Sequence, residues 1–168
     1  MNVEEIRGLG GWLAFLIFAL LVIGPCVTLG EAYVGFAELE RAYPGLRGSE
    51  LWGRFRMLSW AVIIVSIGLS YWAGMRLILR REPSSVWITQ FAIWLSGPCA
   101  TAVHLFVVPV IVSGSVAVIT HIDTPQLIVE IVRLGSGAVG TAAWSIYLVK
   151  SRRVARTYGM QRNCQDLR

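Results

Sequence analysis

Hydrophobic positions in this chain are gathered into long uncharged runs, and the charged residues are pushed to their edges. Gly8 to Gly30 carries no formal charge, nor do Met57 to Met75 and Leu134 to Val149, while Pro83 to Ile122 holds only His104 and His121 as ionisable groups. Arginines fence the runs from one another. A helix needs about 20 apolar residues to cross a hydrocarbon layer, and the runs are of that order. A soluble domain of 168 residues would lack the polar chain to cover so much apolar sequence. The pattern predicts an all-α integral membrane protein forming a single transmembrane domain.

The number of spans turns on Pro83 to Ile122. Its forty residues would make a helix roughly 60 Å long at 1.5 Å per residue, far beyond one crossing. It is either two tightly connected spans or one span with an apolar loop, and charge decides. Four spans place Arg7, Arg76, Arg80, Arg81 and the tail cations Lys150, Arg152, Arg153, Arg156, Arg162 and Arg168 on one side. Arg41, Arg47, Arg54, Arg56 and Arg133 fall on the other, so ten cations face five. The positive-inside rule then puts both termini in the cytoplasm. The expected spans are about 10–30, 57–76, 86–110 and 126–149, followed by a basic cytoplasmic tail over 150–168. Pro109, Ser113 and Gly114 should stop the third helix, with Ser115 to Ile122 as an apolar connection at the outer surface. Thr124 and Pro125 read as the N-cap and first turn of the fourth. Glu31 to Arg56, mixing charges with Tyr33, Phe36, Tyr43, Trp52 and Phe55, reads as an outer loop at head-group level.

Composition narrows the partners. Hydrophobic residues make up 55% of the chain and charged ones 15%, against about 25% charged in soluble domains. The net charge of +5 comes from fourteen Arg and one Lys, placed at span edges. Anionic lipid head groups are the expected counter-ions, and nucleic acid is excluded as a partner because no basic, aromatic-bearing soluble element exists. Glu4 and Glu5 beside Arg7 make a poor signal-peptide leader, and Pro25 argues against lipoprotein cleavage before Cys26, so the first run is expected to stay as an anchor. Cys26, Cys99 and Cys164 show neither C-x-x-C nor metal-ligand spacing.

Within the spans, Gly24-Pro25-Cys26 and Gly97-Pro98-Cys99 recur in the first and third helices. Pro25 and Pro98 should kink them, as paired hinges around a cavity or simply as packing geometry. Arg56, Ser59, Ala61 and Val62 share their spacing with Arg133, Ser136, Ala138 and Val139, so the two hairpins read as a duplication about an axis along the membrane normal. From Gly135 to Ala143 every residue but Val139 is Gly, Ser, Ala or Thr, which places the fourth helix in the middle of the bundle or at a subunit contact.

His104, Glu130 and Arg133 are the ionisable groups nearest the membrane interior, and helical rise puts all three near its outer boundary. They make a candidate polar site that binds a head group or relays protons; the alternative is an i,i+3 ion pair beside a satisfied histidine. No constellation for catalysis is present: two unmatched histidines cannot ligate a haem, and phosphate loops, nucleophile elbows and metal-binding His/Glu motifs are absent. The expectation is a protein without enzymatic activity and without cofactor or metal.

Two segments carry a resemblance. Gly8-Leu9-Gly10-Gly11-Trp12-Leu13 opens the first span, and Trp144, Tyr147, Ser151, Arg153, Val154, Thr157 and Tyr158 form W-x-x-Y-x-x-x-S-x-R-V-x-x-T-Y at its last. With the four-span layout, the chain resembles the bacterial membrane family known as domain of unknown function 2569. That resemblance implies a four-helix inner-membrane protein and brings no activity, cofactor or catalytic residue. Physically, the C-terminal motif reads as a cytoplasmic exit, with Ser151 bonding the last carbonyls and the arginines meeting anionic lipid at about 1 kcal/mol each. Two roles remain open: an accessory component acting through a membrane partner or as a homo-oligomer, and a small solute or lipid transporter using the outer polar site.

Overall fold

The computed structural model describes residues 11–80, 82–115 and 124–158, and these are almost wholly helical. Helix α1 spans Trp12–Ala42, α2 Glu50–Leu79 and α3 Pro83–Ser113, and these three are long and apolar enough to cross a membrane. Helix α4 follows at Thr124–Lys150, and a short α5 covers Arg152–Thr157. Helices α1 and α2 are joined by one 3-10 turn, Pro44–Gly48.

Local chemistry sets these boundaries. Pro44 disfavours helical backbone at the residue before it, and Tyr43 accordingly leaves the helix at φ −131°, ψ 80°. Pro83 occupies the first turn of α3 behind an extended Glu82, where its missing N–H costs nothing. Gly114 ends α3 in the left-handed region at φ 68°, and its N–H bonds the Val110 carbonyl at 2.9 Å. The fourth helix begins at Thr124 as expected. The apolar connection expected over Ser115 to Ile122 lies outside the described residues apart from Ser115.

One expectation is overturned. Glu31 to Arg56 is not a loop: helical structure continues from α1 to Ala42 and resumes at Glu50. Charged residues in this stretch were read as loop residues, but Glu50 and Arg54 pair at i,i+4 with 2.6 Å between them, a spacing that supports helix.

Small hydroxyl side chains share the interior with apolar ones, and large apolar side chains also cover the outside. Ser59, Ser85 and Thr89 are fully buried, and Ser66, Thr141 and Ser145 nearly so, while Ile64, Phe91 and Val139 point outward. Ser70 Oγ donates to Ser96 Oγ at 3.0 Å, and Trp94 Nε1 donates to Ser145 Oγ at 3.1 Å. Small hydroxyl side chains let helices approach and bond across the contact, and apolar ones are left for lipid. At Gly74 α1 packs tightly on α2: a Cβ there would lie 2.9 Å from Leu21 Cδ2.

Each recurring proline sits at a widened turn. A π-helical turn covers Ala19–Ile23 directly before Pro25, another covers Leu95–Cys99 around Pro98, and a third, Val103–Val107, precedes Pro109. The pyrrolidine ring clashes with the carbonyl four residues back, and an extra residue in the turn relieves that crowding. Pro25 and Pro98, where kinks are expected, thus lie just after and within such widened turns.

The apolar core lies at the end of the bundle where α1 begins and α4 finishes. Leu13, Leu16 and Ile17 of α1 meet Leu77, Val86, Ile93 and Leu148, with Val154 and Tyr158 closing the cluster.

Candidate functional site

At the opposite end the helices part around a cavity of about 370 Å³, within the usual range of small-molecule sites. All four long helices line it. Thr28, Glu31, Ala32, Gly35, Phe36 and Leu39 come from α1; Phe55, Val62, Ile63 and Ser66 come from α2. Ser96, Gly97, Ala100, Thr101 and His104 come from α3, and Glu130 and Arg133 from α4. The three residues expected to form a polar site therefore share one cavity.

Their immediate partners define what the walls offer. Arg133 Nη1 lies 3.5 Å from Glu130 Oε1, the expected i,i+3 pair, with more than half of the arginine side chain exposed. His104 Nε2 is 3.1 Å from the hydroxyl of Ser59, and its ring sits 5.8 Å from that of Phe55. The imidazole is held by α2 while it lines the cavity from α3. The π turn at Leu95–Cys99 precedes Ala100, Thr101 and His104, so it sets their direction toward the cavity. Thr101 Oγ1 donates to the Gly97 carbonyl at 3.1 Å, which helps satisfy the backbone beside Pro98. Among the described residues, no group of three His, Cys, Asp or Glu side chains converges as metal ligands would.

A clasp lies above the cavity on the first hairpin. Glu40 accepts hydrogen bonds from Trp52 Nε1 at 3.1 Å and Arg56 Nη1 at 2.9 Å, and pairs with Arg47 at 3.3 Å. Phe36 meets Trp52 and Trp60 edge-on or tilted, with centroids 6.0 and 5.8 Å apart, geometry that aromatic pairs favour. The clasp fixes the spacing of α1 and α2 where both line the cavity.

The C-terminal motif has a structural role. Ser151 adopts extended backbone and its hydroxyl accepts from the Val154 N–H, so the side chain caps α5, while the Ser151 N–H bonds the Tyr147 carbonyl in the last turn of α4 at 2.9 Å. Tyr158, fully buried, donates its hydroxyl to the Leu77 carbonyl at 2.8 Å. Trp144 lies between Trp12 and Phe15 of α1 and Tyr147 of its own helix, with centroids 5.9 to 6.2 Å away. The two motif segments thus meet each other: Trp12 and Leu13 on one side, Trp144, Val154 and Tyr158 on the other. Thr157 is partly buried on α5, and the Arg153 side chain lies outside the description.

A model of the family described as protein of unknown function, DUF2569, matches residues 6–159. The chain belongs to the DUF2569 family. No curated protein and no solved structure matches it. The match covers both motif segments and all four long helices, and it brings no activity to this DUF2569 member.

The small-residue stretch of this DUF2569 chain is placed differently from one of its two expected positions. Gly135, Ser136, Gly137 and Gly140 are exposed, and only Thr141 is buried between Gly135 and Ala143. That stretch is therefore peripheral within the single chain. The reason is register: Thr141, Ser145 and Leu148 make the inward face, and the glycines fall on the opposite side. Ser59 and Ser136, matched in the expected duplication, also differ. The first is buried against His104, and the second is exposed and bonds the carbonyl of Arg133 at 2.9 Å.

Sequence reasoning missed Glu31, Phe36, Phe55 and Ser59 as members of the site. The signal was present. Thr28, Glu31, Ala32, Gly35, Phe36 and Leu39 recur at three- and four-residue steps, the mark of one helical face. Assigning Glu31 onward to a loop hid it.

Proposed function

We propose that this protein is a four-span inner-membrane protein, both termini cytoplasmic, that holds a small amphipathic solute or lipid in the cavity among its helices. The role is binding or transport without catalysis. The cavity carries this reading: four helices converge on it, apolar walls dominate it, and His104, Glu31, Glu130 and Arg133 add ionisable groups to its lining. Polar residues inside a membrane domain are costly and mark ligand or ion pathways. Support for the fourth span comes from the 27 residues of α4, about 40 Å of helix, and from the charge asymmetry of the chain.

The test is native mass spectrometry of protein purified in mild detergent, paired with solute uptake into reconstituted vesicles. A retained small molecule, lost when Ala100→Leu adds bulk to the cavity lining, would support the reading. No retained molecule in either form, together with uptake equal to that of empty vesicles, would remove it.

A second reading rests on the uncovered face of α4. Gly135, Gly137 and Gly140 have nothing within 4 Å of where a Cβ would stand, and membrane helices use such faces for close contact. A second copy of this chain is the proposed occupant. Disulfide cross-linking of Gly140→Cys in native membranes should give a dimer; a monomer under oxidation would count against it.

A further inference from the structure

We infer that the cavity selects a lipophilic organic cation: a hydrophobic amine, quaternary ammonium or phosphonium. This rests on the reading of the cavity as a ligand site and adds the charge and character of the ligand.

The first observation is the balance of charges on the walls. Two carboxylates, Glu31 and Glu130, face one guanidinium, Arg133, so the lining carries one net negative charge when His104 is neutral. The second is how those charges are partnered. Glu130 already holds Arg133 at 3.5 Å, whereas Glu31 has no ion-pair partner among the described residues. Glu31 lies about 28 Å along α1 from Trp12, and Glu130 about 30 Å along α4 from Lys150, so they stand at a similar level of the bundle. An anion entering here would meet an unopposed carboxylate, with the one cationic side chain already engaged.

The remaining walls decide which cation. Leu39, Val62, Ile63 and Ala100 present apolar surface, and Phe36 and Phe55 present rings. A compact, strongly hydrated ion such as sodium would exchange its water shell for oxygens already engaged, since Ser66, Ser96 and Thr101 bond Val62, Ser70 and Gly97 and Glu130 holds Arg133. A cation whose charge is spread over carbon surface loses little hydration, gains contact with the apolar wall and is attracted to aromatic faces. The unpaired carboxylate supplies the charge complement, and the hydroxyls of Ser66, Ser96 and Thr101 leave room for a polar substituent.

Two ions of the same shape and opposite charge make the test: tetraphenylphosphonium and tetraphenylborate, titrated into detergent-purified protein by calorimetry. The phosphonium should bind at least about tenfold more tightly than the borate. Glu31→Gln should abolish that preference while the protein keeps its elution profile and melting temperature. Glu38→Gln, on an exposed residue of the same helix that does not line the cavity, should leave it intact. Equal affinity for the two ions, tighter borate binding, or a preference that survives Glu31→Gln would overturn the inference. Neither ion binding while a co-purified molecule still occupies the cavity would also overturn it, and would leave the cavity reading standing.

Discussion

The two ends of the bundle solve opposite problems with the same four helices. Where α1 begins and α4 finishes, Leu13, Leu16, Leu77, Leu148, Val154 and Tyr158 are almost completely buried, and aromatic rings seal the edge. At the other end, buried side chains give way to a cavity whose walls carry His104, Glu31, Glu130 and Arg133. Between them lie the π turns of α1 and α3. The lesson is that stability and ligand chemistry are separated along the helix axes. One end is packed tightly enough to hold the helices together, which frees the other to stay open and to carry ionisable side chains among apolar walls. Such a division allows cavity residues to change without unfolding the chain.

That contrast can be broken by mutation. Tyr158→Ala removes a fully buried ring and its bond to Leu77, and should cost about 3–5 kcal/mol, read as the largest drop in melting temperature by tryptophan fluorescence in detergent. Tyr158→Phe should cost only about 1 kcal/mol. Gly74→Leu must displace Leu21, whose Cδ2 would lie 2.9 Å from the new Cβ; overpacking of this kind costs about 1–3 kcal/mol, by the same measurement. Ser59→Ala takes the hydroxyl from His104 and should cost about 1 kcal/mol, while weakening phosphonium binding measured by calorimetry. Glu130→Gln breaks a largely exposed pair and should change stability by less than about 1 kcal/mol. A melting-temperature loss from Glu130→Gln as large as that from Tyr158→Ala would erase the separation between the two ends.

Much of the architecture was legible because membrane helices announce themselves by what they lack. Uncharged runs located α1 to α4, and Gly114 and Thr124 marked ends that the structure keeps, while α3 begins at Pro83, ahead of the expected Val86. His104, Glu130 and Arg133 could be grouped by counting residues from the ends of their helices, since rise per residue is constant. Glu31 could not be grouped in the same way. Its neighbours Glu38, Glu40 and Arg41 look like solvated loop, and only the clasp of Glu40 with Arg47, Trp52 and Arg56 shows why helix persists there. Those partners are 7 to 16 residues away in sequence, beyond the reach of local pattern. The small residues of α4 left two positions open, of which the middle of the bundle is not the one taken, for a related reason. Glycine reports that close approach is possible and says nothing about whether the approaching helix belongs to the same chain.

The way Tyr158 reaches back to Leu77 bears on how this molecule can be handled. A fluorescent or epitope tag spliced in ahead of that tyrosine would tear out the peg that secures the base of the bundle, so junctions for reporter proteins belong beyond it. A chain trimmed at the end of α4 would keep every long helix and still melt early, and its behaviour would misrepresent the untrimmed protein.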